Sequence, residues 1–143
     1  MDPIRHELVV ACTPAEAFDA WVDDIGQWWH PDYTPDPAGF LGAAIEPRVG
    51  GRVYLVDATL GEVDWGSVLA VAPGALVVHT SWLGQDPAHP SRLAVQFVPL
   101  DQGGTRVELA HEGWDESNVE FRHKFTEWPL ILDRYAAFVA RTR

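Results

Sequence analysis

The C-terminal part of the sequence carries a single long apolar stripe, and this stripe limits the folds that the chain can adopt. Its members recur at spacings of four, three, four, three and four residues, as one face of an α-helix does: Phe121, Phe125, Trp128, Leu132, Tyr135 and Val139. Pro129 lies inside the stripe and has no backbone N–H, so we expect the helix to kink or restart there. A helix with one apolar face needs another layer to cover that face.

The segment before this helix indicates what the other layer is. Glycine, proline and polar turn signals recur about every 8–12 residues and separate short runs rich in β-branched side chains. Because short turns of this kind join neighbouring strands, the pattern predicts an antiparallel sheet. The expected strands span residues 4–11, 52–57, 63–71, 75–83, 92–99 and 105–111.

Two short helices are expected between the first strand and the others. Thr13 and Glu16 form a capping-box pattern, with Pro14 at the first helical position. A second short helical turn covers residues 24–29, before a proline-rich loop. The sequence therefore predicts a single α+β domain, residues 1–143, in which a curved antiparallel β-sheet of six or seven strands wraps around the long C-terminal helix.

The charge and composition of the chain exclude several classes of partner. Ten basic residues against 21 acidic ones give a formal charge of −11 and an isoelectric point near 4.7. Because nucleic-acid binding needs a basic surface, we expect no nucleic-acid partner and no binding to anionic membranes. Cys12 is the only cysteine, which excludes internal disulfides and fits a reducing compartment. With no apolar run of about 20 residues and no signal-peptide pattern, we expect a cytoplasmic protein.

Six short motifs occur in an order that resembles a known family. They are residues 11–21 (ACTPAEAFDAW), Trp28-Trp29, Gly50-Gly51, residues 65–73 (WGSVLAVAP), residues 76–82 (LVVHTSW) and residues 103–114 (GGTRVELAHEGW), followed by the helix around Trp128. The series resembles the family named for the C-terminal domain of the activator of heat-shock protein 90 ATPase, within the START-like, or SRPBCC, superfamily. The resemblance covers essentially the whole chain and implies the helix-grip fold.

The resemblance also implies a largely apolar cavity between the sheet and the C-terminal helix. Members of the superfamily use such a cavity for lipids, sterols, polyketides and other hydrophobic molecules, and some members are cyclases or hydrolases. The eukaryotic co-chaperone carries an additional N-terminal domain that does much of the chaperone engagement, and we expect no such domain within these 143 residues. Transferring chaperone activation to this chain would therefore rest on the family name alone.

Strand alternation indicates which side chains would line this cavity. In residues 105–111, Arg106 and Glu108 mark the solvent face, which leaves Leu109 and His111 inward. The expected ligand-binding set, with residues from the neighbouring strands and the helix, is Tyr54, Trp65, Thr80, Trp82, Leu109, His111, Phe125, Trp128 and Leu132.

Residues 76–82 carry no charge that marks a face. The alternate set that includes Thr80 and Trp82 is the more apolar one, so it is assigned inward and His79 outward. On residues 63–71, Ser67 shares the expected inner face with Trp65.

Two alternatives remain open for this interior. The aromatic rings enclose a cavity, or they pack on each other and leave no void. His111 likewise either acts as an acid or base on a bound ligand, or is hydrogen-bonded within the end of its strand. His30, Asp32 and Asp36 lack further ligands for a metal site, and no glycine-rich phosphate loop occurs, so we expect neither a metal nor a cofactor.

The sequence therefore supports three functional hypotheses. The first, which we favour, is a cytosolic domain that binds a hydrophobic or aromatic small molecule between the sheet and the C-terminal helix. The second is a protein-interaction module, either linked to a chaperone or a homodimer formed through surface tryptophans such as Trp28 and Trp29. The third is an enzyme that acts on the bound ligand, with His111 as acid or base and Tyr54 or Thr80 positioning the substrate.

Overall fold

The computed structural model describes residues 1–143, which form seven strands, three α-helices and three short 3-10 segments. The strands are β1 (Ile4–Val10), β2 (Phe40–Ile45), β3 (Arg52–Asp57), β4 (Gly61–Ala72), β5 (Leu76–Ser81), β6 (Ser91–Pro99) and β7 (Thr105–Glu112). The α-helices are α1 (Pro14–Val22), α2 (Ile25–Trp28) and α3 (Trp128–Thr142). The 3-10 segments are Pro31–Tyr33, Pro37–Gly39 and Val119–Phe125.

All seven strands form one antiparallel sheet in the order β1-β7-β6-β5-β4-β3-β2. The sheet curls into a half-barrel around α3, which packs against β1, α1 and α2. This arrangement confirms the expected α+β helix-grip fold, including the two short helices after the first strand. β2 is the seventh strand, and no run of β-branched residues in the sequence had indicated its position.

The C-terminal helix restarts at Pro129, as expected, and is shorter than the apolar stripe. Residues 119–125 form a 3-10 segment, and α3 begins at Trp128 with Pro129 in its first turn. A proline is tolerated there because the N–H groups of a first turn have no partner within the helix. The 15 residues of α3 span about 22 Å. Phe121 and Phe125 therefore lie outside α3, on the segment that leads into it.

The two helices after β1 bring aromatic side chains into the core. The capping box of α1 is present, since Thr13 Oγ1 accepts from Glu16 N–H and the Glu16 carboxylate accepts from Thr13 N–H. Gly26 lets α2 approach the sheet closely, because a Cβ at this position would lie 2.7 Å from the backbone nitrogen of Ala43 on β2. As a result Trp28, two residues later in α2, points into the core.

Trp28 and Trp29 are therefore buried, with 1% and 3% of their surface exposed. The expectation that they form a surface for homodimerisation is wrong. Trp28 packs on Trp21 and on Tyr135 of α3 with ring centroids 4.7 and 5.0 Å apart. Its indole N–H donates to Ala20 O at 2.8 Å, and the Tyr135 hydroxyl donates to Ala17 O at 2.8 Å, so both polar atoms are satisfied inside the core.

Candidate functional site

A cleft opens at the end of the sheet where α3 begins, and three loop segments form its walls. They are the 3-10 turn after α2, the connection between β5 and β6, and the 3-10 segment that precedes α3. The volume of the cleft is about 310 Å³. Its lining residues are Asp32, Tyr33, Thr34, Pro35, Leu83, Gly84, Lys124 and Phe125.

Beneath the cleft, between the sheet and the start of α3, lies a gap of only about 20 Å³. That volume is close to what a single water needs. The gap shares four residues with the cleft, so the two are continuous: Tyr33, Leu83, Lys124 and Phe125. Its deeper lining is Trp29, Trp65, Ser81, Glu127, Trp128 and Ile131.

Aromatic rings fill the space between the sheet and α3. The sequence analysis had left two alternatives for this space, an open cavity or a packed core. Trp29 lies at the centre, with its ring centroid 5.3 Å from that of Trp65 on the sheet and 5.9 Å from that of Trp128 on α3. Trp29 Nε1 donates to Tyr33 O at 3.3 Å, which ties the indole to the wall of the cleft. Of the two alternatives, the structure therefore has the filled interior, with a narrow apolar gap where the rings do not meet.

Lys124 connects two walls of the cleft. Its ammonium group donates to Gly84 O at 2.8 Å, across from the 3-10 segment to the connection after β5. The same ammonium lies 4.9 Å from the ring centroid of Phe121. Lys124 is the only lysine of the chain, and no carboxylate lies within 4.0 Å of it.

His111 is buried on the inner face of β7, as expected, and both of its ring nitrogens are hydrogen-bonded. Trp128 Nε1 donates to His111 Nδ1 at 3.2 Å, so Nδ1 carries a lone pair and the proton is on Nε2. Nε2 then donates to Ser91 Oγ at 2.7 Å, and the Ser91 hydroxyl donates to Gln85 Oε1 at 2.7 Å. Burial is the main cause that lowers the pKa of His111 to about 3, with smaller contributions from His79 and Arg122, so the imidazole is neutral at pH 7.

The close pair of Ser91 and His111 has the composition of a nucleophile and its base, but its protonation is the reverse of what that chemistry needs. A general base must accept the serine proton, whereas His111 Nε2 already holds a proton and donates it. Both side chains are buried, and neither lines the cleft or the gap. The pair links α3, β6 and β7 as part of the packed interior.

His79 is also buried, and the expectation that it faces outward is wrong. Its side chain lies on the inner face of β5 with Val77 and Ser81, and none of its surface is exposed. Nδ1 lies 2.7 Å from Thr80 O and donates to it, while Nε2 has no hydrogen-bond partner. Burial lowers the pKa of His79 to about 4, which keeps the ring neutral at pH 7.

Three residues of the expected lining lie on the outer face of the sheet instead. Tyr54 packs under the guanidinium of Arg52, whose central carbon is 4.2 Å from the Tyr54 ring centroid. Thr80 and Trp82 bond to the outer side of β4, through Thr80 Oγ1 with Ser67 N–H at 3.0 Å and Trp82 Nε1 with the carbonyl oxygen of Asp64 at 2.9 Å.

Strand alternation failed in two places, residues 76–82 and β4, for different physical reasons. β5 carries no charge on either face, and its inner face accommodates the polar His79 and Ser81, so counting apolar residues selected the wrong set. In β4, Trp65 is the extra residue of a bulge opposite β3, so the simple alternation does not extend from Trp65 to Ser67.

The other six expected residues are buried or half-buried, in two groups. Trp65, Phe125 and Trp128 line the gap. Leu109, His111 and Leu132 are buried elsewhere in the interior and do not line it. The sequence analysis missed the residues that loops contribute, together with Trp29, Ser81 and Ile131. Of these missed residues, only Trp29 had been considered in the sequence for contact with a partner, through the adjacent pair Trp28-Trp29. That pair had been assigned to the surface.

The proline-rich loop after α2 is stabilised locally. His30 Nδ1 accepts from Asp32 N–H at 3.1 Å and so caps the 3-10 turn that carries Tyr33 to the cleft. The structure brings no three His, Cys, Asp or Glu side chains together in a cluster that could hold a metal ion. None of the helices combines the length and the apolar composition that a membrane crossing needs.

Solved structures of similar shape cover nearly the whole chain. Protein MLL2253 from Mesorhizobium loti is 21% identical over 99% of this chain and 98% of its own, with a TM-score of 0.72. The Aha1 dimer from Colwellia psychrerythraea is 23% identical over 92% and 91%, with a TM-score of 0.63. The anthrahydroquino-γ-pyrone synthase Txn09, solved as a complex, is 29% identical over 96% of both chains, with a TM-score of 0.63.

No curated protein sequence matches this chain closely enough to count as a relative. A family model does match, and it covers residues 11–140, from the end of β1 to the last turn of α3. The match thus includes the walls of the cleft and every residue that lines the gap. On this match, the chain belongs to the family of activator of Hsp90 ATPase homolog 1-like proteins.

Proposed function

We propose that this protein binds an apolar, ring-containing small molecule that enters through the cleft and occupies the space between the sheet and α3. The observation that carries the proposal is the continuity of the cleft with the aromatic gap beneath it. The volume of the cleft lies at the lower end of the range for small-molecule sites, which is roughly 300–1,000 Å³. The gap adds an apolar floor with few polar atoms, which favours hydrophobic ligands.

Binding requires the aromatic rings of the gap to move, since about 20 Å³ holds no organic molecule. Trp29 lies on the short segment between α2 and a 3-10 turn, and Phe125 lies on the 3-10 segment before α3. Neither ring belongs to a strand, so both can change rotamer without breaking the sheet. A ligand that replaces the ring contacts of these two residues with its own gains about 25 cal/mol for each Å² of apolar surface that becomes buried.

The cleft is tested by blocking it with a larger side chain. Leu83 is shared by the cleft and the gap, so Leu83→Trp fills the passage, while Leu130→Trp makes the same change on the exposed side of α3. We expect 2-methylnaphthalene to raise the melting temperature of the wild type and of Leu130→Trp. At 100 times its dissociation constant a ligand adds about 2.7 kcal/mol of stability. Equal stabilisation of Leu83→Trp would place the binding site elsewhere.

Homodimerisation through the edge of the sheet is a second candidate function. β2 is an edge strand without a charged residue, and its Leu41 is 68% exposed. Uncharged edge strands favour pairing with another chain. The similar protein from Colwellia psychrerythraea is described as a dimer. Sedimentation of the wild type and of Leu41→Lys across a hundredfold concentration range tests this candidate, and a wild type that stays monomeric throughout rejects it.

A further inference from the structure

His79 has a free hydrogen-bond acceptor inside the protein. The ring lies on the inner face of β5 and is completely buried. Nδ1 donates to Thr80 O at 2.7 Å, which fixes the tautomer and leaves a lone pair on Nε2. No donor of the protein reaches Nε2. A buried acceptor without a donor is unfavourable, because it has lost its hydrogen bonds to water without replacing them.

The other inner-face histidine shows that the sheet can satisfy such a ring. His111 lies on the same row of the sheet as His79, since both residues pair with Leu93 of β6 from opposite sides. Trp128 donates to one nitrogen of His111 and Ser91 accepts from the other. The free lone pair is therefore specific to His79.

The ring of His79 lies behind one wall of the gap. Ser81, two residues along the same face of β5, lines the gap, and so does Trp65 on β4. The Trp65 ring packs edge-to-face on the His79 ring, with centroids 5.4 Å apart and an interplanar angle of 85°. The indole of Trp65 thus separates the gap from His79, and a ligand reaches the His79 ring only when this indole also turns aside. Trp65 also packs on Trp29, the ring that must move for any ligand to enter.

We infer that His79 Nε2 accepts a hydrogen bond from an O–H or N–H group at the inner end of the bound ligand, an inference that rests on the proposed function. The ligand class is then an apolar ring system with a neutral donor, such as a phenol or an alcohol. A carboxylate at that end is disfavoured, because the lone pair of a neutral ring repels an anion and most side chains around His79 are apolar: Trp65, Val68, Val77 and Leu93.

Two probes of matched shape test the inference. 2-Naphthol and 2-methylnaphthalene differ by a hydroxyl in place of a methyl group, and calorimetry gives the ratio of their dissociation constants. His79→Phe keeps a ring of similar size and removes the acceptor. The two probes differ in hydration, but this difference is the same for the wild type and the variant and cancels when their ratios are compared. The change in the ratio therefore reports the contact with His79. We expect the preference for 2-naphthol to fall about tenfold in His79→Phe, with 2-methylnaphthalene binding retained.

His89→Phe is the matched control, since it makes the same change on the exposed connection between β5 and β6 and should keep the wild-type ratio. A ratio that is unchanged in His79→Phe, with both probes bound, overturns this inference and leaves the proposed function standing. Binding of neither probe to the wild type overturns both.

Nitrogen NMR of the histidine rings tests the same contact in the wild-type protein, without a substitution at His79. In the free protein His79 Nε2 should show the resonance of an unprotonated nitrogen without a hydrogen bond. 2-Naphthol should move this resonance towards that of an acceptor, and 2-methylnaphthalene should not. A His79 signal that responds equally to both bound probes contradicts the inference.

Discussion

His79 and His111 are both held neutral inside the sheet, and this makes the stability of the protein depend on pH. Each ring has a pKa near 6.5 when exposed in an unfolded chain, whereas in the folded state burial lowers the pKa to about 4 for His79 and about 3 for His111. Below pH 6.5 the unfolded state therefore binds more protons than the folded state. Stability is full above that pH and is lost as the pH falls towards the folded pKa values.

The first prediction follows from this difference. Between pH 7 and pH 5, His79 alone should account for a loss of about 2 kcal/mol in the free energy of unfolding. His79→Phe removes the titrating group, so its stability should fall by about 2 kcal/mol less than that of the wild type over the same interval. Urea unfolding at the two pH values measures this. A variant that loses as much as the wild type would show that His79 is not held neutral.

The second prediction concerns the indole that bonds to His111. Trp128→Phe removes the N–H that His111 Nδ1 accepts from and leaves a space in the gap, so we expect a loss of about 2 kcal/mol. Trp82→Phe is the control, because it also removes an indole hydrogen bond but lies on the outer face, and its cost should stay below about 1 kcal/mol. Equal losses in denaturant unfolding would contradict the assigned roles of the two faces.

At the scale of elements, α2 depends on one glycine to reach the sheet. A Cβ on Gly26 would lie 2.7 and 2.8 Å from backbone atoms of Ala43, and backbone cannot move aside as the end of a side chain can. Gly26 therefore sets how deeply Trp28 and Trp29 enter the core. Gly26 does not line the gap beneath the cleft, but it determines the position of Trp29, which does.

The third prediction compares two glycines. Gly26→Ala should shift α2 away from β2 and cost about 2 kcal/mol or more, within the range of core overpacking. Gly42→Ala, on β2 itself, meets no atom within 4 Å and should change stability by less than about 0.5 kcal/mol. Thermal unfolding of the two variants gives the comparison, and a tolerated Gly26→Ala would show that α2 is free to adjust.

Elements also show how far the sequence could predict the molecule. β7 was assigned correctly because Arg106 and Glu108 mark its outer face, whereas β5 has no charge to mark either face. The cleft could not be predicted, since Tyr33, Leu83 and Lys124 come from three loops that are distant in sequence and meet only in the folded sheet. Alternation also cannot foresee the bulge at Trp65, which depends on pairing with β3.

For the whole molecule, the excess of negative charge opposes the compact state. Arginine side chains pair with six acidic residues, out of 21 in the chain. Exposed pairs of this kind each contribute little. The remaining carboxylates repel one another and disfavour the compact state at low ionic strength.

The fourth prediction is a salt effect on melting. Raising NaCl from about 0.05 to about 0.5 M shortens the screening length from roughly 14 Å to roughly 4 Å and weakens this repulsion. The melting temperature should therefore rise by about a few degrees at pH 7. A fall in melting temperature would mean that the ion pairs outweigh the excess of negative charge.

Five of the seven indoles form an unbroken series through the interior. Trp21, Trp28, Trp29 and Trp65 follow one another with centroids 4.7, 6.0 and 5.3 Å apart, and Trp128 joins at Trp29 at 5.9 Å. At such separations the electronic transitions of neighbouring indoles couple, so absorbed light is shared along the series. Movement of Trp29 would divide it. The circular dichroism of the coupled indoles thus gives an optical signal, without any added label, for whether the passage beneath the cleft is closed.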